Sequence, residues 1–421
     1  MAFYVDAIWL HIQAGFGYFG GKPSGGGYQK QQEVVTMTVS DGSVEDSATS
    51  TTIYDVVVVG GGPAGVGVAV ALRDAGIENF VILDRFRVGA SFALWPEETR
   101  FITPSFPSNS IGMLDLNSIA LGTSPAFTLG VEHPTGEDYA LYLAAVASHH
   151  GLPVRRRTEV KQVTQIGVGF QIETDSVTMY ARHVIWAAGE FQYPRRDSFN
   201  GSTLCTHTGT LRNYAGLEGD DFIVLGGYES GIDAAYHLAR RGKQVRVFDA
   251  GAPWASTESD PSVALSTYTM ERMRDPAFSQ YVTLHPHTPI VSVSRDLDSD
   301  DYRVISRKGR VFRTPVAPLL ANGFKGSYPL VGDLFESRDD GLPLLTENDE
   351  STVAPGMYLC GPSIRHGNHI FCFIYKYRQR FAVVAKAIAT SLGLPAEGLE
   401  RYRKWGMYLD DLSECGEECV C

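Results

Sequence analysis

A glycine-rich turn carries the clearest chemical signal in the sequence. Gly60, Gly62 and Gly65 match the pattern G-x-G-x-x-G directly after the apolar run IYDVVVV. The first glycine permits a sharp turn, the second lets a pyrophosphate approach the backbone, and the third lets a helix pack on the strand. The start of that helix offers free N–H groups and a partial positive charge to the phosphates. The turn therefore predicts a dinucleotide-binding site, which also includes Pro63 and Ala64.

An acidic residue completes this first fingerprint. Asp84 stands 24 residues after Gly60, at the end of the second apolar run NFVILDR. A carboxylate at that place accepts hydrogen bonds from the hydroxyls of a ribose. We assign Asp84 and the adjacent Arg85 to the cofactor site. A merely structural turn is the less favoured alternative, because strand, turn, helix, strand and acid all agree.

A second fingerprint repeats the pattern with a defect. Its turn reads GGYESG over residues 226–231, and Tyr228 stands where the middle glycine belongs. A side chain there crowds the place of a pyrophosphate, and Glu229 adds negative charge. The alternative to a nicotinamide site is a relic fold kept for structure. The residues predicted to bind the second nucleotide are Gly226, Gly227, Ser230, Gly231 and Asp249.

The strand-end acid of the second unit bears on the choice of nucleotide. Asp249 stands 23 residues after Gly226. A carboxylate suits a free 2′-hydroxyl and repels a 2′-phosphate, which favours NADH. Binding of NADPH is still an alternative, because three arginines of the same unit could accommodate a 2′-phosphate: Arg240, Arg241 and Arg246.

Cysteines and histidines form two further candidate groups. Cys415, Cys419 and Cys421 form a C-x-x-x-C-x-C array at the chain end, which could relay electrons as a thiol shuttle or bind a soft metal. Three neighbouring glutamates raise thiol pKa values, so incidental thiols are the favoured interpretation. The second group matches no common zinc module in its spacing, C-x5-H-x2-H-x2-C, so we favour lining of the cofactor site over a metal site. Its members are Cys360, His366, His369 and Cys372.

The elements that must position these residues are two strand–turn–helix–strand units, which predict an α/β fold. Their segments resemble the two-dinucleotide-binding-domain flavoproteins, the superfamily of flavin-containing monooxygenases and thioredoxin-reductase-like enzymes. The likeness covers roughly residues 53–400 and rests on VVVVGGGPAG with LDR, on VIWAAGEFQYP and LLANGF, and on GMYLCGP. In that superfamily the first fingerprint binds FAD and the second binds NADH or NADPH. The resemblance implies both cofactors here.

The same resemblance implies further site residues. Ser91, Phe92 and Trp95 stand where relatives surround the flavin ring, and Gly361 stands in the closing segment of the flavin site. The chain departs from its relatives in carrying Pro362 where a Gly-Asp pair is common. It also has no Cys-x-x-Cys, and it only imperfectly echoes the monooxygenase signature F-x-G-x-x-x-H-x-x-x-W/F.

The order of the segments along the chain predicts a first Rossmann-like domain interrupted by a second. With the resemblance, this gives two Rossmann-like dinucleotide-binding domains, the NAD(P)-binding one inserted into the FAD-binding one. Residues 401–421 form a Cys-containing tail. The remaining segments are a flexible N-terminal extension (1–52), the first part of the FAD-binding domain (53–215), the NAD(P)H-binding domain (216–315) and the second part of the FAD-binding domain (316–400).

Composition narrows the partners. The 421 residues contain 36 Lys plus Arg and 48 Asp plus Glu, a net charge of −12 that argues against nucleic acid. The longest uncharged run, residues 56–72, holds Pro63 and five glycines, so we predict no membrane span. The N-terminus lacks the charged start of a secretory signal, so we expect a cytoplasmic protein that acts on a small-molecule substrate. Assembly into a homodimer is an alternative that the sequence leaves undecided.

Three functions follow from these predictions. The leading one is an FAD-dependent NAD(P)H oxidoreductase that passes electrons from the nicotinamide through FAD to a small acceptor, with O₂ in a monooxygenation as one candidate. The alternative is a thiol–disulfide oxidoreductase that uses the C-terminal cysteines as its shuttle. The third is a non-enzymatic flavin-binding sensor, suggested by Tyr228 in the damaged fingerprint.

Overall fold

Each of the two glycine turns follows a strand of a separate sheet in this computed structural model of the protein, and the strands next to each turn are parallel. The parallel order explains the unbroken apolar runs of the sequence, because strands covered by helices on both faces are buried on both sides. Val56, Val57 and Val58 are all fully buried. The structure describes residues 53–107, 114–296 and 298–414.

Seven strands form the first sheet. They are β1 Ile53–Val59, β2 Phe80–Asp84, β3 Val154–Arg156, β4 Val160–Ile166, β5 Gly169–Thr174, β6 Thr178–Trp186 and β15 Met357–Leu359. The spatial order is β3-β2-β1-β6-β5-β4, and β15 pairs in parallel with the carboxyl-terminal half of β6. β5 pairs antiparallel with both β4 and β6, whereas the other pairs are parallel.

The second sheet lies in the chain between β6 and β15. Its order is β10-β9-β8-β14-β7, with every pair parallel. Its strands are β7 Thr206–His207, β8 Asp221–Leu225, β9 Gln244–Phe248, β10 Val282–His285 and β14 Leu319–Leu320. A small antiparallel sheet and a hairpin complete the described strands: β11 Ile290–Arg295, β12 Tyr302–Ser306, β13 Val311–Thr314, β16 Arg365–His366 and β17 His369–Ile370.

The helices connect and cover these sheets. The described α-helices are α1 Pro63–Asp74, α2 Ala90–Ala93, α3 Pro125–Leu129, α4 Gly136–His149, α5 Glu229–Ala239, α6 Thr267–Arg272, α7 Pro276–Tyr281, α8 Ile374–Tyr377 and α9 Phe381–Ser391. α1 and α9 pack closely, since a β-carbon on Gly67 would lie 2.0 Å from Phe381 Cε2. None of the helices in these described segments is both long and apolar enough to cross a bilayer.

The chain order of the two sheets explains the architecture. β15 adds to the first sheet only after the whole second sheet has been completed. The predicted fold class, an α/β protein with one Rossmann-like fold inserted into another, is therefore confirmed. After β15 the hairpin β16–β17 comes first, and a 3₁₀ turn, Arg378–Arg380, then separates α8 from α9.

Candidate functional site

A cavity of about 490 Å³ opens at the carboxyl ends of β1 and β6 and reaches the start of α5. It therefore touches both glycine turns of the chain. Six of its lining residues are central to the chemistry: Gly60, Gly62, Asp84, Trp95, Glu190 and Ser230.

The three glycines of the first turn have three different surroundings. Gly60 has a φ of +111°, and a β-carbon there would lie 2.4 Å from the carbonyl oxygen of Ala187. A β-carbon on Gly65 would lie 1.8 Å from the carbonyl oxygen of Gly60. At Gly62, by contrast, it would meet no atom within 4 Å. Two glycines are thus required by packing, and the middle one borders open space.

The open space at Gly62 lies at the start of a helix. α1 begins at Pro63 with Gly62 as its N-cap, no side chain caps its first amides, and no acidic residue lies in its first turn. Uncapped amides and the helix dipole together favour an anion. The residues present therefore fit the diphosphate of a dinucleotide such as FAD, and Ala64 lines the same wall.

Asp84 closes the turn from the neighbouring strand. Its Oδ2 accepts a hydrogen bond from the Gly61 amide at 2.8 Å, and its Oδ1 accepts one from Phe86 at 2.7 Å. Burial raises the pKa of Asp84, and these backbone hydrogen bonds oppose the rise. The carboxylate also lines the cavity and has acceptor capacity left for ribose hydroxyls. Arg85 forms an ion pair with Glu159 at 3.3 Å.

The residues predicted to surround the flavin ring do line the cavity. Ser91 and Phe92 lie in α2, and Ser91 Oγ accepts a hydrogen bond of 3.4 Å from Gln192. The ring centroids of Phe92 and Trp95 are 4.9 Å apart, and those of Trp95 and Phe191 are 6.4 Å apart. These rings give one wall an apolar, aromatic surface suited to a flat heterocycle.

The closing segment lies against the start of α1. Gly361 has a φ of +119°, and its β-carbon position lies 3.4 Å from the Ala64 side chain, although Gly361 itself is not a lining residue. Pro362, Cys372 and Tyr377 do line the cavity. No metal-binding group of three or more residues exists within the described segments.

His366, in the closing segment, contacts a buried carboxylate. His366 Nε2 lies 2.5 Å from Asp349 Oδ1, and the same carboxylate binds the fully buried Arg380 through two contacts of 3.0 Å. His366 therefore contacts the buried Asp349–Arg380 pair.

Glu190 is a site residue that sequence reasoning missed. It follows β6 by four residues, lines the cavity, and its carboxylate makes no hydrogen bond within the described part of the chain. Burial raises its pKa, and the charge of Arg365 opposes the rise. The only sequence signal is its place in VIWAAGEFQYP, directly after a strand end.

The second turn repeats the backbone of the first. Gly226 has a φ of +108°, and its β-carbon would lie 2.3 Å from the carbonyl oxygen of Ala321, while that of Gly231 would lie 1.9 Å from Gly226. Ser230 and Glu229 reach the cavity, but Gly226, Gly227, Gly231 and Asp249 do not belong to its wall.

The thiols within the described residues are poorly suited to nucleophilic chemistry. Cys205, Cys360 and Cys372 are all free. Burial raises the pKa of Cys205 to about 12, and it also raises the pKa values of Cys360 and Cys372. A thiol with a raised pKa holds little thiolate at neutral pH. The predicted shuttle residues Cys415, Cys419 and Cys421 lie outside the described residues, as does the extension 1–52.

A family model described as pyridine nucleotide-disulphide oxidoreductase matches residues 57–361. The chain belongs to this family. The match spans both glycine turns and ends at Gly361. It confirms the predicted superfamily and its pair of cofactors, FAD and a pyridine nucleotide.

Individual relatives are distant. The uncharacterized oxidoreductase CzcO of Bacillus velezensis is 26% identical over 193 residues, which cover 45% of this chain and 52% of the relative. The chain thus matches about half the length of such curated relatives.

Two solved structures show the same fold. The bacillithiol disulfide reductase Bdr (YpdA) from Bacillus cereus has a TM-score of 0.66 at 19% identity, covering 81% of this chain and 100% of that one. A flavin-containing monooxygenase from Stenotrophomonas maltophilia has a TM-score of 0.62 at 18% identity, covering 80% and 98%.

Proposed function

We propose that the chain is an FAD-dependent oxidoreductase that takes a hydride from NADH or NADPH and passes the electrons to a small acceptor. The observation that carries this proposal is the open space at Gly62, at the uncapped start of α1 and beside Asp84. The overall balance is NAD(P)H plus one proton plus acceptor, giving NAD(P)⁺ and the acceptor reduced by two electrons.

The residues of the first turn have separate tasks in this proposal. The first amides of α1 hold the diphosphate, and Asp84 accepts hydrogen bonds from a ribose. Phe92 and Trp95 provide an apolar wall that excludes water from the reacting atoms. FAD, when bound, supplies the two-electron chemistry, so the task of the protein is to position and protect.

One continuous cavity supports direct contact between the two cofactors. The wall that includes Gly62 also includes Ser230 at the start of α5. Reactants held in one enclosed site react as if at very high concentration. We keep residues 53–215 and 316–400 for FAD and residues 216–315 for the nicotinamide nucleotide as the proposed division.

For the acceptor, we favour O₂ in a monooxygenation. The balance is then NAD(P)H, a proton, O₂ and substrate giving NAD(P)⁺, water and the oxygenated substrate. The raised pKa values of Cys205, Cys360 and Cys372 support this choice over a disulfide substrate attacked by a thiolate of the described chain. The shared fold with a protein named flavin-containing monooxygenase is compatible with it.

The test is anaerobic mixing of the FAD-loaded protein with NADH and with NADPH, followed by admission of air. We expect bleaching of the flavin absorbance much faster than for free FAD, and reoxidation in air. Absence of bleaching with both nucleotides contradicts the proposed hydride transfer and leaves the non-enzymatic flavin sensor.

The second candidate is a thiol–disulfide oxidoreductase that uses the tail cysteines. Its support is the fold shared with a protein named bacillithiol disulfide reductase, together with the C-x-x-x-C-x-C tail. Deleting residues 415–421 should then abolish turnover of a disulfide while flavin reduction by NAD(P)H survives. Unchanged disulfide turnover in the truncated protein eliminates this candidate.

A further inference from the structure

The two glycine turns match closely in backbone geometry. The residue in the middle position, Gly62 or Tyr228, has φ and ψ of −83° and −172° in the first turn and of −87° and −165° in the second. The preceding amide, of Gly61 or Gly227, donates to the strand-end aspartate at 2.8 Å or 2.7 Å. A β-carbon at the middle position therefore points the same way, relative to its turn, in both units.

The middle position is open in the first turn and filled in the second. At Gly62 a β-carbon would point into space free of atoms within 4 Å, which is where the diphosphate is proposed to lie. At Tyr228 the phenol extends from the equivalent place, and its hydroxyl donates a hydrogen bond of 2.6 Å to the carbonyl oxygen of Ala264. The chain's own side chain thus fills the equivalent diphosphate space.

A tryptophan covers the adjacent place for the ribose. A β-carbon on Gly227 would lie 2.2 Å from Trp254 Cζ3, so the indole lies directly against this glycine. Asp249 is also next to that position, with its own β-carbon 3.1 Å away. At the corresponding Gly61 the nearest atom is the Asp84 carboxylate at 3.0 Å, and both of those residues line the cavity.

The segment that contains Trp254 and Ala264 is held in place by contacts with other parts of the chain. We call residues 253–266 the strap. The Ser266 amide donates to Glu229 at 2.5 Å, which ties one end to the start of α5. Asp260 forms an ion pair of 2.9 Å with Lys376, whose side chain is 4% exposed. Ser262 Oγ also lies 3.2 Å from Cys372 Sγ in the cavity wall. The strap therefore links the second turn to residues 372–376, which belong to the part of the chain proposed to bind FAD.

We propose that the strap excludes the adenosine half of a dinucleotide from the second turn, so that Trp254 and Tyr228 set the affinity for the reductant. The cavity beside Ser230 stays open and admits the nicotinamide half. This inference rests on the proposed function. A dinucleotide must displace the indole before its ribose can reach Asp249. Its apparent affinity is therefore the intrinsic affinity multiplied by the fraction of molecules in which the indole is displaced.

The test uses ADP-ribose, a redox-inert probe of the adenosine half, titrated by calorimetry into the FAD-loaded protein. Trp254→Ala should bind ADP-ribose about tenfold or more tighter than the parent, because the indole no longer has to be displaced. Asp260→Asn, which loosens the strap without touching the turn, should change the affinity in the same direction by a smaller factor. Trp405→Ala, a half-buried tryptophan outside the strap, is the matched control and should bind as the parent does.

Anaerobic flavin reduction provides a second readout. Trp254→Ala should lower the dissociation constant for NADH and leave that for reduced nicotinamide mononucleotide unchanged. The strap is refuted if neither variant binds ADP-ribose tighter than the parent, or if Trp254→Ala binds it more weakly. Failure of both nucleotides to reduce the flavin counts against the proposed function, whereas the ADP-ribose titration still decides on the strap.

Discussion

Asp84 and Asp249 hold the same position in two successive folds of one chain. Each accepts a hydrogen bond from the amide that follows the first glycine of its turn, at 2.8 Å and 2.7 Å. Only Asp84 lines the cavity, since Trp254 lies beside Asp249. Both carboxylates therefore stabilise their turn, but of the two only Asp84 is placed to contact a nucleotide in the cavity.

This pair leads to a matched prediction. Asp84→Asn should weaken FAD binding about tenfold to a hundredfold, because a hydrogen bond to a charged group contributes about 1.5–3 kcal/mol. Asp249→Asn alters the equivalent contact and should leave FAD affinity unchanged. Fluorescence titration of the apo-proteins with FAD measures both. Equal losses in the two variants would assign the effect to the turn rather than to ribose binding.

Glu190 should make stability depend on pH. Burial raises its pKa in the folded state, so the folded chain binds this proton more tightly than the unfolded chain. Its contribution to stability is complete below the ordinary glutamate pKa and is lost as pH rises through the folded value. Glu190→Gln should therefore stabilise the apo-protein at pH 7 and show no such gain at pH 4.

Urea unfolding at the two pH values measures this effect. Glu78→Gln, at an exposed position, is the control and should change little at either pH. A gain for Glu190→Gln that is the same at pH 4 and pH 7 would show that the ionised carboxylate is not its source.

The Asp349–Arg380 pair should be a major contributor to stability. Both side chains are fully buried, and two contacts of 3.0 Å join them. Arg380→Met leaves a buried carboxylate with His366 as its one remaining side-chain partner among the described residues, so the free energy of unfolding should fall by about 3–5 kcal/mol. Lys325→Met breaks the exposed pair with Asp197 and should lower the free energy of unfolding far less, because solvent screens that pair. Similar losses in the two variants would contradict this assignment.

Local sequence patterns predicted the units that hold the first site. The apolar run before Gly60, the proline at the helix start and the acid at the strand end are all neighbours in sequence. β1, α1 and β2 follow from them, and Asp84 closes β2 as expected. Gly60 has the positive φ of the sharp turn expected there, Gly65 has the close packing expected of the third glycine, and Gly62 borders open space.

Contacts between distant segments were beyond these patterns. Trp254 follows Gly227 by 27 residues, and no periodicity in the sequence indicates that its indole returns to cover that glycine. The 3₁₀ turn between α8 and α9 is a second example. The guanidinium groups of its Arg378 and Arg380 bind the Ser118 carbonyl and the Asp349 carboxylate, which belong to other segments.

The most direct test of the account is the flavin content of Gly62→Leu. The backbone at Gly62 is extended and a β-carbon there meets no atom within 4 Å, so the variant should fold. Its side chain would fill the space of the diphosphate. Gly332→Leu, where a β-carbon also meets no atom within 4 Å, is the control.

Both variants are reconstituted with FAD, and flavin absorbance per chain is measured beside the thermal unfolding of the apo-proteins. We predict a folded, colourless Gly62→Leu protein and a yellow Gly332→Leu protein. Flavin content in Gly62→Leu equal to that of the control would contradict the central claim that this turn holds the cofactor.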